Sequence, residues 1–134
     1  AYSGIMGLLA ALKLKNYTIA VATYKREDYA VTLLDKFGIS RFCDSIHGAD
    51  FEYQLTKSDI VELCMRDLSV SAKKSIMIGD TVHDAISAEN LGIKFIGVGY
   101  GFGFKSLADI ASFQHIGFVQ SVDEILHIIF ESEI

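Results

Sequence analysis

Two aspartates, Asp80 and Asp84, follow directly on an apolar run that ends in Gly79. About one helical turn separates them, so both carboxylates can face the same small volume. Hard oxygen donors in that number suit Mg²⁺, which takes few carboxylates and keeps several waters. The pair also reads as plain helix chemistry, with Asp80 or Thr81 as a cap and Asp84 favouring the positive helix end. Two residues do not separate these readings.

Thr23 closes the β-branched run "TIAVAT" and precedes Tyr24-Lys25-Arg26-Glu27. A hydroxyl at a strand end, beside open amides at a helix start, can bind a phosphate oxygen. It can equally cap the helix with no ligand at all. Lys57 opens a helix after the loop "EYQLT", where its charge opposes the helix dipole. That placement suits a lysine facing an anion or a carboxylate, although a solvated lysine is the simpler reading.

"GVGYGFG" carries glycines at 97, 99, 101 and 103. The spacing is not G-x-G-x-x-G, so a dinucleotide site is disfavoured and the glycines read as a flexible rim. His47, His83, His115 and His127 show no zinc-ligand spacing. Cys43 and Cys64 form no C-x-x-C pair and read as small buried thiols in a reducing cytoplasm.

The elements that must hold these residues follow from periodicity. Leu8, Leu9 and Leu12 mark one face of an opening helix that runs to about Lys15. Thr18–Thr23 is a buried strand. Tyr29, Ala30, Leu33, Leu34 and Phe37 then recur at helical spacing up to Gly38. "DSIHG" is a short strand, and Lys57–Leu68 a helix. "KSIMIGD" is a strand, and Val82–Leu91 a helix stopped by Gly92. "IKFIGVG" is a further strand, followed by a short helix near Lys105–Ala111. "HIGFV" and Val122–Phe130 close the chain as strand and helix.

Alternating strands and helices predict an α/β fold, a three-layer α/β/α core on a mainly parallel sheet. Ligands in such sheets lie beyond the carboxyl ends of the strands, where Thr23, Asp80 and Gly97–Gly103 fall. The 134 residues fit one domain, 1–134, and the 51% hydrophobic content excludes a disordered chain. A net charge of −5 without a basic cluster argues against a nucleic-acid surface. No apolar run approaches membrane-spanning length.

The order of these features is more specific than any one of them. Thr at a strand end, Lys at a helix start, G-D-x-x-x-D after a strand and a strand into G-V-x-x-G together resemble the haloacid dehalogenase-like hydrolases. Within them the pattern resembles the phosphoglycolate phosphatase-like branch. "GIMGLLAALKLKNYTIAVATYK" looks like the run to that family's second motif, "TKSDIV" like its lysine motif, and "IMIGDTVHDAISAENLGIKFIGVGYGFG" like its fourth. The resemblance implies a Rossmann-like core and a Mg²⁺-dependent phosphatase of small phosphorylated metabolites. Thr23 and Tyr24 would contact the phosphoryl group, and Lys57 would neutralise charge on it. Asp80 would bind Mg²⁺ directly, and Asp84 would hold a metal-bound water or position Lys57.

The pattern departs from the family in two places. The motif D-x-D-G-[TS], which supplies the aspartate nucleophile and the general acid/base, is absent from these residues. Ser58 also stands where relatives often carry Pro. The expectation is therefore the C-terminal part of a phosphatase core, without its first strand and cap and inactive alone. The missing strand would fall between those ending at Thr23 and Asp80. Association with the protein's own N-terminal segment or with another copy would fill that position. A non-catalytic phosphate-binding module on the same fold is the alternative.

Overall fold

The computed structural model describes residues 4–99 and 110–132. The chain divides into two compact units, Leu9–Val70 and Ser71–Ile134, the latter joined by Ala1–Leu8. The opening helix α1 (Ile5–Leu14) buries Leu8, Leu9 and Leu12, the face that their spacing predicts.

The Leu9–Val70 unit is built on two parallel strands, β1 (Ala20–Arg26) and β2 (Ser45–Ala49). Helices α2 (Glu27–Lys36) and α3 (Lys57–Leu68) both pack against this pair. Regular pairing runs from Ala20↔Ser45 to Ala22↔His47 and resumes only at Arg26↔Ala49. The strand thus continues past its expected end at Thr23, but its ladder breaks there. Such an irregularity re-aims side chains at a strand's end.

Gly48 marks why β2 can lie so close. A Cβ there would meet the Lys25 carbonyl oxygen and stand 2.8 Å from Glu27 Cα. Helix α3 buries Ile60, Val61 and Cys64. Helix α2 differs: it buries Ala30, while Tyr29, Leu33 and Phe37 lie largely exposed. Its apolar spacing is helical, yet this unit covers only part of that face.

The loop into α3 is fixed by Asp50, whose Oδ1 accepts the amides of Gln54 at 2.9 Å and Leu55 at 3.1 Å. The helix then starts with a reciprocal cap. Thr56 Oγ1 accepts the Asp59 amide at 3.1 Å, and Asp59 Oδ2 accepts the Thr56 amide at 2.9 Å.

The second unit is a three-stranded parallel sheet in the order β3 (Ile76–Gly79), β4 (Lys94–Val98), β5 (Gly117–Val119). Helix α4 (Val82–Leu91) packs on β3 and β4, and α5 (Val122–Ser132) on β5. Phe95, Ile96, Ile125 and Val119 are its fully buried centre. Each such side chain contributes on the order of 1.5–3 kcal/mol through burial. Ile78 on β3 is 38% exposed, whereas its register partner Ile96 on β4 is 0% exposed. Among the described residues β3 pairs with β4 alone, and β1 with β2 alone.

The α/β class and parallel pairing read from the sequence are the observed ones. The short helix expected near Lys105–Ala111 and the glycines at 101 and 103 lie outside the described residues, apart from Ile110 and Ala111. No helix among the described residues is long and apolar enough to cross a membrane.

Candidate active site

Within the Leu9–Val70 unit, Thr23 and Lys57 are brought together from distant points of the chain. The Lys57 ammonium donates to the carbonyl oxygen of Ala22 at 2.8 Å, one residue before Thr23. The Lys25 amide donates to Thr23 Oγ1 at 3.1 Å. With its oxygen used as an acceptor, the Thr23 hydroxyl can still donate its proton to an anionic oxygen. Tyr24 also contacts Lys57. Its Oη accepts the backbone amide of Lys57 at 2.9 Å, and its ring centre lies 5.6 Å from Nζ. The Lys57 ammonium is thus held on the residue before Thr23, and a positive charge with a hydroxyl on the adjoining residue suits a phosphoryl oxygen.

Farther along the same strand, the Arg26 guanidinium binds Asp28 through two bonds of 2.7 and 3.0 Å. It also stacks against Tyr29 and Phe51, 4.1 and 4.6 Å from their ring centres. The hydrogen bond to Asp28 holds the Arg26 pKa above its ordinary value, while that from Arg26 holds Asp28 below its own.

In the other unit, Asp80 and Asp84 meet at the start of α4. Thr81 is the N-cap, its Oγ1 accepting the Asp84 amide at 3.3 Å. Asp84 Oδ2 reaches back to accept three bonds, from the amides of Asp80 and Thr81, each at 3.2 Å, and from the Thr81 hydroxyl at 2.9 Å. Asp84 is only 6% exposed. A Cβ at position 79 would stand 2.5 Å from both Cγ and Oδ2 of Asp84, so only glycine leaves room for this carboxylate.

Of the capping readings, that of Thr81 is realised in the hydrogen bonds, and the Asp84 carboxylate in the first turn shapes the loop that carries Asp80. A hard cation that keeps most of its waters needs one or two carboxylates, and this pair supplies them. No group of three His, Cys, Asp or Glu able to hold a metal occurs among the described residues. Two carboxylates would suit an ion that keeps most of its waters, the chemistry of Mg²⁺.

Beyond the Thr81 cap already read from the sequence, two features escaped that reading. Thr56-x-x-Asp59 and Thr81-x-x-Asp84 share one capping signature, legible as T-x-x-D at both helix starts. The second is the cluster around His47, whose Nδ1 lies 3.0 Å from Glu27 Oε1 and whose Nε2 lies 2.6 Å from Asp67 Oδ2. Ser45 Oγ donates to the same Asp67 oxygen at 2.8 Å.

A family model described as "Haloacid dehalogenase-like hydrolase" matches residues 1–98. The chain belongs to the haloacid dehalogenase-like hydrolase family. Among relatives, a 5'-nucleotidase of Pseudomonas aeruginosa is 34% identical over 103 residues, 76% of this chain and 47% of its own length. A phosphoglycolate phosphatase of Agrobacterium fabrum is 33% identical over 102 residues, covering 75% and 44% respectively. The tyrosine-protein kinase PtkA of Mycobacterium tuberculosis is 31% identical over 125 residues, 92% of this chain and 43% of its own. A crystal structure of a predicted phosphatase from Clostridium acetobutylicum superposes with a TM-score of 0.90 at 34% identity, covering 97% of this chain and 60% of that one. The chain spans about half the length of these curated relatives.

Proposed function

We propose that this chain carries the phosphoryl-binding and metal-binding portions of a Mg²⁺-dependent phosphatase acting on a small phosphorylated metabolite in the cytoplasm. The observation that carries the reading is the Lys57 ammonium held on the Ala22 carbonyl beside the Thr23 hydroxyl. Phosphoryl transfer depends chiefly on positioning and charge neutralisation, and these are the services such a pair supplies.

Thr23 would donate to a phosphoryl oxygen, and Lys57 would neutralise its charge. Asp80 would ligate Mg²⁺, with Asp84 holding the Asp80–Thr81 backbone in place. The cation, when bound, supplies Lewis-acid stabilisation of the phosphoryl oxygens. The aspartate nucleophile would come from a part of the protein outside these residues, because no D-x-D occurs among them. The phosphatase-named relatives support hydrolysis, while the kinase-named one is a reminder that fold alone does not settle the acceptor.

The test is an assay of the full-length protein on a panel of phosphomonoesters, with and without Mg²⁺. Metal-dependent release of inorganic phosphate, lost in Asp80→Asn, is the expected result. Tight phosphate binding without turnover would instead favour the non-catalytic module.

A further inference from the structure

Lys57 is held at both ends by the two residues that flank Thr23. Its ammonium donates to Ala22 and its backbone amide to the Tyr24 phenol. From this geometry we infer that Tyr24 is a positioning residue, which fixes the Lys57 ammonium beside Thr23 by anchoring the first residue of α3 to β1. The inference rests on the reading of Lys57 as the charge-neutralising group.

The Tyr24–Lys57 bond is not required to satisfy the helix start. Thr56 and Asp59 already form a complete cap, and this hydrogen bond lies at the exposed surface, where water could take the amide. Its distinctive effect is therefore on position. A lysine side chain has four rotatable bonds, so one contact at Nζ leaves its stem free to swing. A second contact at its own backbone removes rigid-body motion of the helix start relative to the strand. The tyrosine ring adds a third restraint, since its π face attracts the ammonium and offsets part of the repulsion from the helix dipole. Because Ala22 and Tyr24 bracket Thr23, the same short segment sets both the hydroxyl and the charge. Tyr24 thus acts through Lys57 and need not touch the reacting atoms.

The experiment is a double-mutant cycle in the full-length protein, with Tyr24→Phe, Lys57→Ala and the pair, reading kcat and KM separately. Amide hydrogen exchange at residue 57 is followed in the wild type and in Tyr24→Phe. Tyr24→Phe keeps the ring but removes the acceptor, and it should lower kcat about 3- to 10-fold with KM within about twofold. That loss should vanish in the Lys57→Ala background, and exchange at the Lys57 amide should quicken. A kcat loss of equal size in both backgrounds, or an unchanged Lys57 amide, would overturn the inference. Wild-type turnover by Lys57→Ala would instead sink the reading of Lys57 itself, and the amide measurement would still report whether Tyr24 anchors it.

Discussion

The Lys57 ammonium lies 2.8 Å from the Ala22 carbonyl oxygen, although 35 residues separate the two in the chain. A lysine at the first position of a helix is electrostatically disfavoured, and in the proposed charge-neutralising role it serves a task outside helix stability. Lys57→Ala should therefore lower kcat of the full-length protein by about 10²- to 10³-fold. Unfolding free energy should change by less than about 1 kcal/mol. Steady-state kinetics beside a urea melt check both halves of this expectation.

The Asp84 carboxylate holds the start of its helix together. Asp84→Ala leaves two amides and the Thr81 hydroxyl without their buried acceptor, at a cost of about 1–3 kcal/mol. Asp84→Asn keeps one carbonyl acceptor and should cost less. Gly79→Ala should destabilise the wild type and cost much less when combined with Asp84→Gly, because the Asp84 Cβ, Cγ and Oδ2 it would strike are then gone. Thermal denaturation of the four proteins tests this non-additivity.

The His47 cluster makes stability depend on pH. Burial pulls the His47 pKa down, but the hydrogen bonds and charges of Asp67 and Glu27 outweigh it and hold the group above its ordinary value of 6.5. A raised folded pKa contributes stability fully below 6.5 and loses it as pH rises through the shifted value. Asp67 is held below its ordinary 3.8, by Ser45 first and then His47, so its contribution is lost as pH falls through that lower value. The cluster should stabilise most between about pH 4 and 6.5. Urea midpoints from pH 5 to 8 should fall for the wild type and stay flatter for His47→Gln.

The 134-residue chain alone should show negligible phosphomonoester turnover with Mg²⁺, since it holds no candidate for the D-x-D nucleophile. The full-length protein should turn over. Clear metal-dependent activity by the verified short chain would refute the assignment of the nucleophile to another part of the protein.

The elements were largely legible because each carries its own period and stop, as with Gly92 after α4 and the buried run of β4. The true end of β1 was not, because a broken ladder depends on where β2 lies and leaves no mark in "ATYKRE". The exposure of α2 was missed for a related reason: spacing identifies a face but not what covers it. At the candidate site, residue types pointed to Thr23, Lys57, Asp80 and Asp84. The Ala22 carbonyl, the Tyr24 phenol and the carboxylates on His47 are long-range partners, fixed by tertiary register alone.

The close fit of Asp84 over Gly79 also limits how this loop can change under mutation. Any side chain gained at 79 while the carboxylate remains meets an occupied space. Loss of the carboxylate alone does not clear that space, since the Asp84 Cβ also fills it, and it strips the Asp80–Thr81 backbone of its acceptor. Single-step routes away from this pair all pass through a less stable intermediate. Gly79 and Asp84 are thus coupled by packing as well as by the chain, and a change at either alters what the other position tolerates.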